Sequence, residues 1–172
     1  DYAARPSFAV TAYQSLPGLF KHLFFYHAEW NAQPLWDAPF LAALLPPVSS
    51  LAVIAVTAWR AWRTPRSPLV FAALVIAHLL TSPATLEYHY ALMLFPLLLL
   101  CFDSQRWSLR ARLLLLVAAA LLAVDYDYWG SRWGSGALVA LAYPRLWGGL
   151  LLWALALRQA GGAGDTRTPV LH

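Results

Sequence analysis

After its first forty residues the chain alternates long apolar runs with short polar breaks. Five runs are visible, roughly 39–62, 68–82, 88–102, 111–128 and 136–158, each rich in Leu and Ala and nearly free of charge. A helix that crosses a bilayer needs about 20 apolar residues, and the second and third runs fall short of that. The stretch Ser82-Pro83-Ala84-Thr85-Leu86-Glu87 joins them and offers room for their ends to extend. Pro46-Pro47 in the first run predicts a kink there, or sets the true start of its helix. Residues 1–38 differ: they are mixed and aromatic, with Pro6, Pro17 and Pro34. Within them, Leu16, Leu19, Phe20, Leu23, Phe24 and His27 fall on one face at helical spacing. That predicts an amphipathic helix in the membrane interface, with Tyr26 and Trp30 at headgroup level. From Gly161-Gly162-Ala163-Gly164 onward the chain is polar and is expected to be disordered.

The pattern therefore predicts an all-α fold, a polytopic membrane helix bundle of about five spanning helices plus one outer interfacial helix. Its expected parts are an external loop over 1–38, a transmembrane bundle over 39–159 and a cytoplasmic tail over 160–172.

Composition strengthens this picture. Hydrophobic residues make up 60% of the chain and charged residues 12%, about half the charge of an ordinary soluble domain. Mean hydropathy is +0.56. A chain of 172 residues can bury a normal core, so the clustering of apolar residues, not their number, points to the membrane. The single cysteine, Cys101, excludes an internal disulfide and any CxxC site. At the end of an apolar run it reads as a small hydrophobe. The chain opens on Asp1 without a signal peptide, which predicts a fragment or a processed chain.

Charge supplies the topology. The net charge of +4 comes from Arg apart from Lys21. Arg60, Arg63 and Arg66 separate runs one and two. Arg106, Arg110 and Arg112 separate runs three and four. Arg158 and Arg167 follow run five. With five spans all three groups share one side, which the positive-inside rule makes cytoplasmic. The opposite side receives Asp1, Glu29, Asp37, Glu87, Asp125 and Asp127. Trp59, Trp62 and Trp107 would mark the inner interface, and Trp30, Trp36, Trp129 and Trp133 the outer one. The Arg residues form no continuous basic face, so no nucleic-acid partner is expected.

Candidate chemistry gathers on the outer side. The richest patch is Ser82 to Tyr90, S-P-A-T-L-E-Y-H-Y. Glu87 can accept a proton, and His89 can hold a phosphate or shuttle a proton near neutrality. The plainer alternative makes Tyr88 and His89 interfacial residues that cap a helix. Arg145, beside Pro144 in the fifth run, either binds a phosphate or snorkels outward and pairs with Asp125 or Asp127. Asp125-Tyr126-Asp127 mimics a DxD motif but reads better as a solvated loop. His78 reads as a packed histidine bonded to a neighbouring helix. No P-loop, GxGxxG, HExxH or Cys-His metal spacing occurs, so neither metal nor cofactor is expected.

The patch resembles the S-P-x-S-W-x-H-H-Y signature of the glycosyltransferase 87 family of the GT-C superfamily. Ser82, Pro83, His89 and Tyr90 match, and Thr85 is a near match. Leu86 stands where the family has Trp, and Tyr88 where it has the first His. The following A-L-M-L-F-P-L-L-L-L, with Pro96, looks like the family's next helix. Upstream, Tyr13-Gln14-Ser15-Leu16-Pro17-Gly18 looks like its N-Q-S-L-x-G stretch, with Tyr13 for Asn. The resemblance covers roughly residues 11–125. It implies an integral membrane glycosyltransferase that moves a sugar, mannose first among candidates, from a polyprenyl-phosphate donor to a lipid or glycan acceptor at the outer face. In the family the general base is an Asp in the first external loop, which this chain lacks, so a fragment inactive by itself is one expectation. The resemblance implies that His89 assists at the donor phosphate or acceptor, with Glu87 also catalytic. Gln14, Ser15, Ser82, Tyr88, Tyr90 and Arg145 would contact substrate.

Two rivals belong to other classes. A transporter or flippase fragment predicts polar residues through the full membrane depth, whereas most lie at the outer end; no internal repeat is visible either. A non-catalytic membrane assembly subunit predicts that the outer cluster is dispensable.

Overall fold

The computed structural model describes residues 11–124, 133 and 135–162. Among these residues the fold is all-α. The α-helices are α1 (Leu16–Phe24), α2 (Pro39–Arg63), α3 (Pro68–Thr81), α4 (Leu94–Asp103), α5 (Leu109–Ala123) and α6 (Pro144–Gly162). Three 3-10 helices, Glu87–Met93, Ser104–Arg106 and Gly136–Ala142, complete the helical set among the described residues. The one β-type pairing described is an isolated bridge between His27 and Asn31.

Proline sets where these helices begin. Pro17, Pro39, Pro68 and Pro144 each occupy the first turn of a helix. There the missing N–H costs nothing and the fixed φ suits the helix. Pro46 and Pro47 do not set the start of α2, which opens at Pro39 and runs through them. The first two runs match α2 and α3 closely. The third and fifth are not single α-helices. Run three is 3-10 over Glu87–Met93 and passes directly into α4, because Leu94 keeps right-handed helical angles. Run five is broken at Tyr143 (φ −117°, ψ 50°), where the following Pro144 disfavours the helical region. The helix α6 then extends to Gly162, so the polar tail begins later than residue 160. The interfacial helix is shorter than expected. It stops at Phe24, and Asn31 holds the chain beyond it in a turn, donating to the carbonyls of His22 (2.7 Å) and Phe25 (2.6 Å).

The helix α6 is central. Gly148 faces α5 and Gly149 faces α3, so two neighbours approach one helix on adjacent faces. Ala72, Ala73 and Ala77 of α3, Ala118 of α5 and Ala156 of α6 are buried with them. Small residues let backbones come close, and dispersion then holds the seam. Ile76, Leu80, Leu100, Tyr143 and Leu146 fill the rest of the interior, and many other large apolar side chains face outward. Along α2, Phe40, Leu44, Val48, Leu51 and Trp59 are exposed, and Trp62 is 86% exposed. The outer faces of α4 and α5 carry exposed Leu94, Leu98, Phe102, Leu109, Leu113 and Leu116. Among the described residues one helix, Pro39–Arg63, is long and apolar enough to cross a membrane, and Pro68–Thr81 is a shorter apolar helix.

The ends carrying arginine meet through α2 and α6. Arg60 Nε donates to the Leu157 carbonyl (2.8 Å), which lies near the C-terminus of α6, where a cation is favoured. One turn earlier, Trp153 Nε1 donates to the buried Thr57 hydroxyl (2.9 Å), which itself donates to Val53 (2.7 Å). Thr57→Val leaves the indole N–H unpartnered and is expected to cost about 1–2 kcal/mol, measured by thermal unfolding of the purified protein. Trp107 differs from Trp59 and Trp62 in exposure. It is buried, and its Nε1 donates to Asp103 (2.8 Å). His78 is not packed against a neighbouring helix. It shares the exposed face of α3 with Phe71 and Leu74, because the buried face takes the positions between them.

Candidate functional site

Three stretches far apart in sequence meet at the end of the bundle opposite Arg60, Arg106 and Arg110. They are the entry to α1, the 3-10 helix Glu87–Met93, and the junction of Gly136–Ala142 with α6. Gln14 joins all three. Its Nε2 donates to the Ala142 carbonyl (3.0 Å) and to Thr11 (2.7 Å), and its Oε1 accepts from the Arg145 backbone N–H (3.2 Å). The Gln14 carbonyl accepts from the Tyr90 hydroxyl. Gln14 is 0% exposed. Such an amide, fully bonded and sealed, is a structural junction.

Ser15 is equally buried. Its Oγ accepts from the Gly18 N–H (3.3 Å) and so caps α1. Gly18 is required here for space, because a Cβ would overlap the Tyr13 carbonyl oxygen. The two residues expected to line an open cavity are therefore interior. Tyr90 is buried with them, whereas Tyr88, two positions earlier, is 65% exposed. The threefold repeat of a 3-10 helix separates such neighbours onto different faces.

His89 is half-buried, and its ring packs against Tyr88 with centroids 4.3 Å apart. Its Nδ1 accepts from the Leu86 N–H (3.0 Å), while its own N–H donates to the Leu86 carbonyl (3.0 Å). The pair closes the N-terminus of the 3-10 helix, which is the capping role. An accepting Nδ1 places the neutral ring's proton on Nε2, leaving that nitrogen a donor. Glu87 opens the same helix; its side chain lies outside the described part of the structure. Ser82 is half-buried and closes α3, its N–H donating to the His78 carbonyl (3.0 Å). Buried Thr85 donates to Leu79 (2.8 Å) and ties the loop back onto α3.

Arg145 sits at the first turn of α6, its Nε donating to the Val124 carbonyl (3.2 Å). Asp125-Tyr126-Asp127, Trp129, Asp1 and Arg167 lie outside the described residues. No protein-family model, curated protein or solved structure matches the chain.

Sequence reasoning passed over one buried pair. His22 Nδ1 lies 3.1 Å from the Tyr143 hydroxyl, and the rings meet edge to face with centroids 6.0 Å apart. This contact fastens α1 to the break before α6. The one available signal was a tyrosine directly before a proline. Near the end of α1, partial burial pulls the Lys21 ammonium below its ordinary range. A groove of about 380 Å³ opens at the opposite, arginine-bearing end, and none of the expected site residues lines it.

Proposed function

We propose that this protein is a multi-pass membrane glycosyltransferase, transferring a sugar from a polyprenyl-phosphate donor to a lipid or glycan acceptor at the extracytoplasmic face of the cell membrane. The carrying observation is that the two stretches resembling the glycosyltransferase 87 family come together. The Tyr90 hydroxyl of the S-P-A-T-L-E-Y-H-Y patch donates to the carbonyl of Gln14. Several spans are supported by the many large apolar side chains exposed along α2, α4 and α5. The short third run also gains length. A 3-10 residue rises about 2.0 Å and an α residue about 1.5 Å. Glu87–Met93 and α4 together then reach about 29 Å, close to a hydrocarbon core.

In the reaction, an acceptor hydroxyl attacks the anomeric carbon as the bond to the phosphate oxygen breaks, and the polyprenyl phosphate leaves. The hydroxyl proton passes to a general base. In this reading His89 Nε2–H donates to the departing phosphate, whose developing charge it stabilises. Arg145 adds positive charge at the same end, while Gln14 and Ser15 position the elements and do not touch substrate.

The test follows radiolabel from polyprenyl-phosphate mannose in membranes expressing the full-length gene, with two variants. Both His89→Ala and His89→Asp are expected to reduce transfer by about 100-fold or more. Aspartate can still accept from the Leu86 N–H but repels a phosphate. Transfer retained by His89→Asp would confine His89 to capping. A non-catalytic membrane subunit is the second reading, favoured by the complete internal bonding of Gln14. No transfer from any of a panel of lipid-linked sugars by membranes expressing the full-length gene would favour it over the enzyme.

A further inference from the structure

The groove at the arginine-bearing end has two chemically distinct parts. Pro68 at the start of α3 and Leu99 and Phe102 at the end of α4 form an apolar wall. Asp103, Gln105 and Arg106 form a polar mouth. The carboxylate is held in place, since one of its oxygens accepts from buried Trp107. Away from the mouth, the apolar wall continues along the seam between α3 and α4. Exposed Phe71 and Phe95 meet there edge to face, with centroids 5.7 Å apart.

An occupant must therefore be long and apolar at one end and carry both charges at the other. A cation alone would leave Arg106 unmatched, and an anion alone would face Asp103. We propose that this groove binds one ethanolamine-type phospholipid. Its ammonium donates to Asp103, its phosphate accepts from Arg106 and Gln105, and one acyl chain lies along the Phe71–Phe95 seam. A quaternary choline headgroup has no N–H for the carboxylate and is discriminated against on that ground. A glycerol headgroup adds no cation and meets the Asp103 charge instead. The site rests on membrane embedding but not on sugar transfer, and it lies at the other end of the bundle from His89.

The experiment is native mass spectrometry of the detergent-purified protein. It is exchanged into an equimolar mixture of ethanolamine, choline and glycerol phospholipids with identical chains. Wild type is expected to retain the ethanolamine lipid about fivefold over the other two, the gain expected from one ion pair at a partly exposed site. Asp103→Asn keeps an acceptor for Trp107 and is expected to shift the preference to the anionic glycerol lipid. Arg106→Gln is expected to lower retention of all three lipids, since each presents the phosphate that Arg106 holds. Equal retention of all three lipids, a glycerol preference in wild type, or a preference untouched by Asp103→Asn would each overturn the proposal. Release of the protein from membranes by alkaline extraction would instead overturn membrane embedding, so the two failures are distinguishable.

Discussion

Replacing Gln14 with Leu is expected to lower folding stability by about 3 kcal/mol, although the side chains are similar in size. Gln14 makes three side-chain hydrogen bonds, to Thr11, Ala142 and the Arg145 N–H, and is fully buried. Leucine fills the volume and satisfies none of those groups. The Ala142 carbonyl lies at the end of a 3-10 helix, and the Arg145 N–H lies in the first turn of α6. Neither has an intrahelical partner at such a terminus. Each unpartnered buried group costs about 1–3 kcal/mol. Gln14→Glu restores one acceptor but turns two donors into a charge facing carbonyl oxygens, so it is expected to be at least as harmful. Thermal unfolding in detergent measures both. A Gln14→Leu protein of unchanged stability and lost sugar transfer would instead place Gln14 against substrate, as the sequence resemblance alone implies.

The second large effect is expected at the paired glycines of α6, and it differs between them. A Cβ on Gly148 would lie 2.8 Å from the Ala118 carbonyl oxygen and 3.1 Å from the Leu121 Cβ. Both belong to the stiff body of α5, so the whole helix must move. A Cβ on Gly149 would meet the Leu80 Cδ2 at 3.0 Å and the Met93 Cε at 3.3 Å, both at the ends of flexible side chains. Gly148→Ala is expected to cost about 2–3 kcal/mol, and Gly149→Ala under about 1 kcal/mol. The helix α5 packs chiefly on α6 and touches α4 sparsely, so displacing it also loosens Arg145, which bonds to the Val124 carbonyl just past its end. Comparing the two variants by thermal unfolding checks this. Equal losses would mean that the α5–α6 seam is no stiffer than the α3–α6 seam.

Much of the helical layout was legible in advance. Runs of Leu and Ala bounded by arginine, proline or polar residues marked α2 and α3 almost to the residue. The all-α class follows from the same runs, because hydrophobic periodicity and run length are local properties. The site was less legible. The patch Ser82 to Tyr90 stood out by its residue types, but their roles did not. Tyr88 and Tyr90 look equivalent in the sequence, yet one is exposed and the other is sealed against Gln14, because the helix there is 3-10. The capping bond of His89 to Leu86 spans three residues and could be weighed from sequence. The bonds from Gln14 to Ala142 and Arg145 span 128 and 131 residues and could not.

The sequence by itself determined which segments are apolar, that they form helices, and that most of the arginines gather at one set of ends. Those outcomes depend on interactions within a few residues and on the solvent. Only the tertiary structure decided which face of each helix is covered, as at His78 and Trp107. It also decided which polar groups are consumed inside the fold and which charges share the groove at the arginine-bearing end. These depend on which distant segment supplies the partner, and a hydrogen bond or a close backbone approach exists only once both segments are in place.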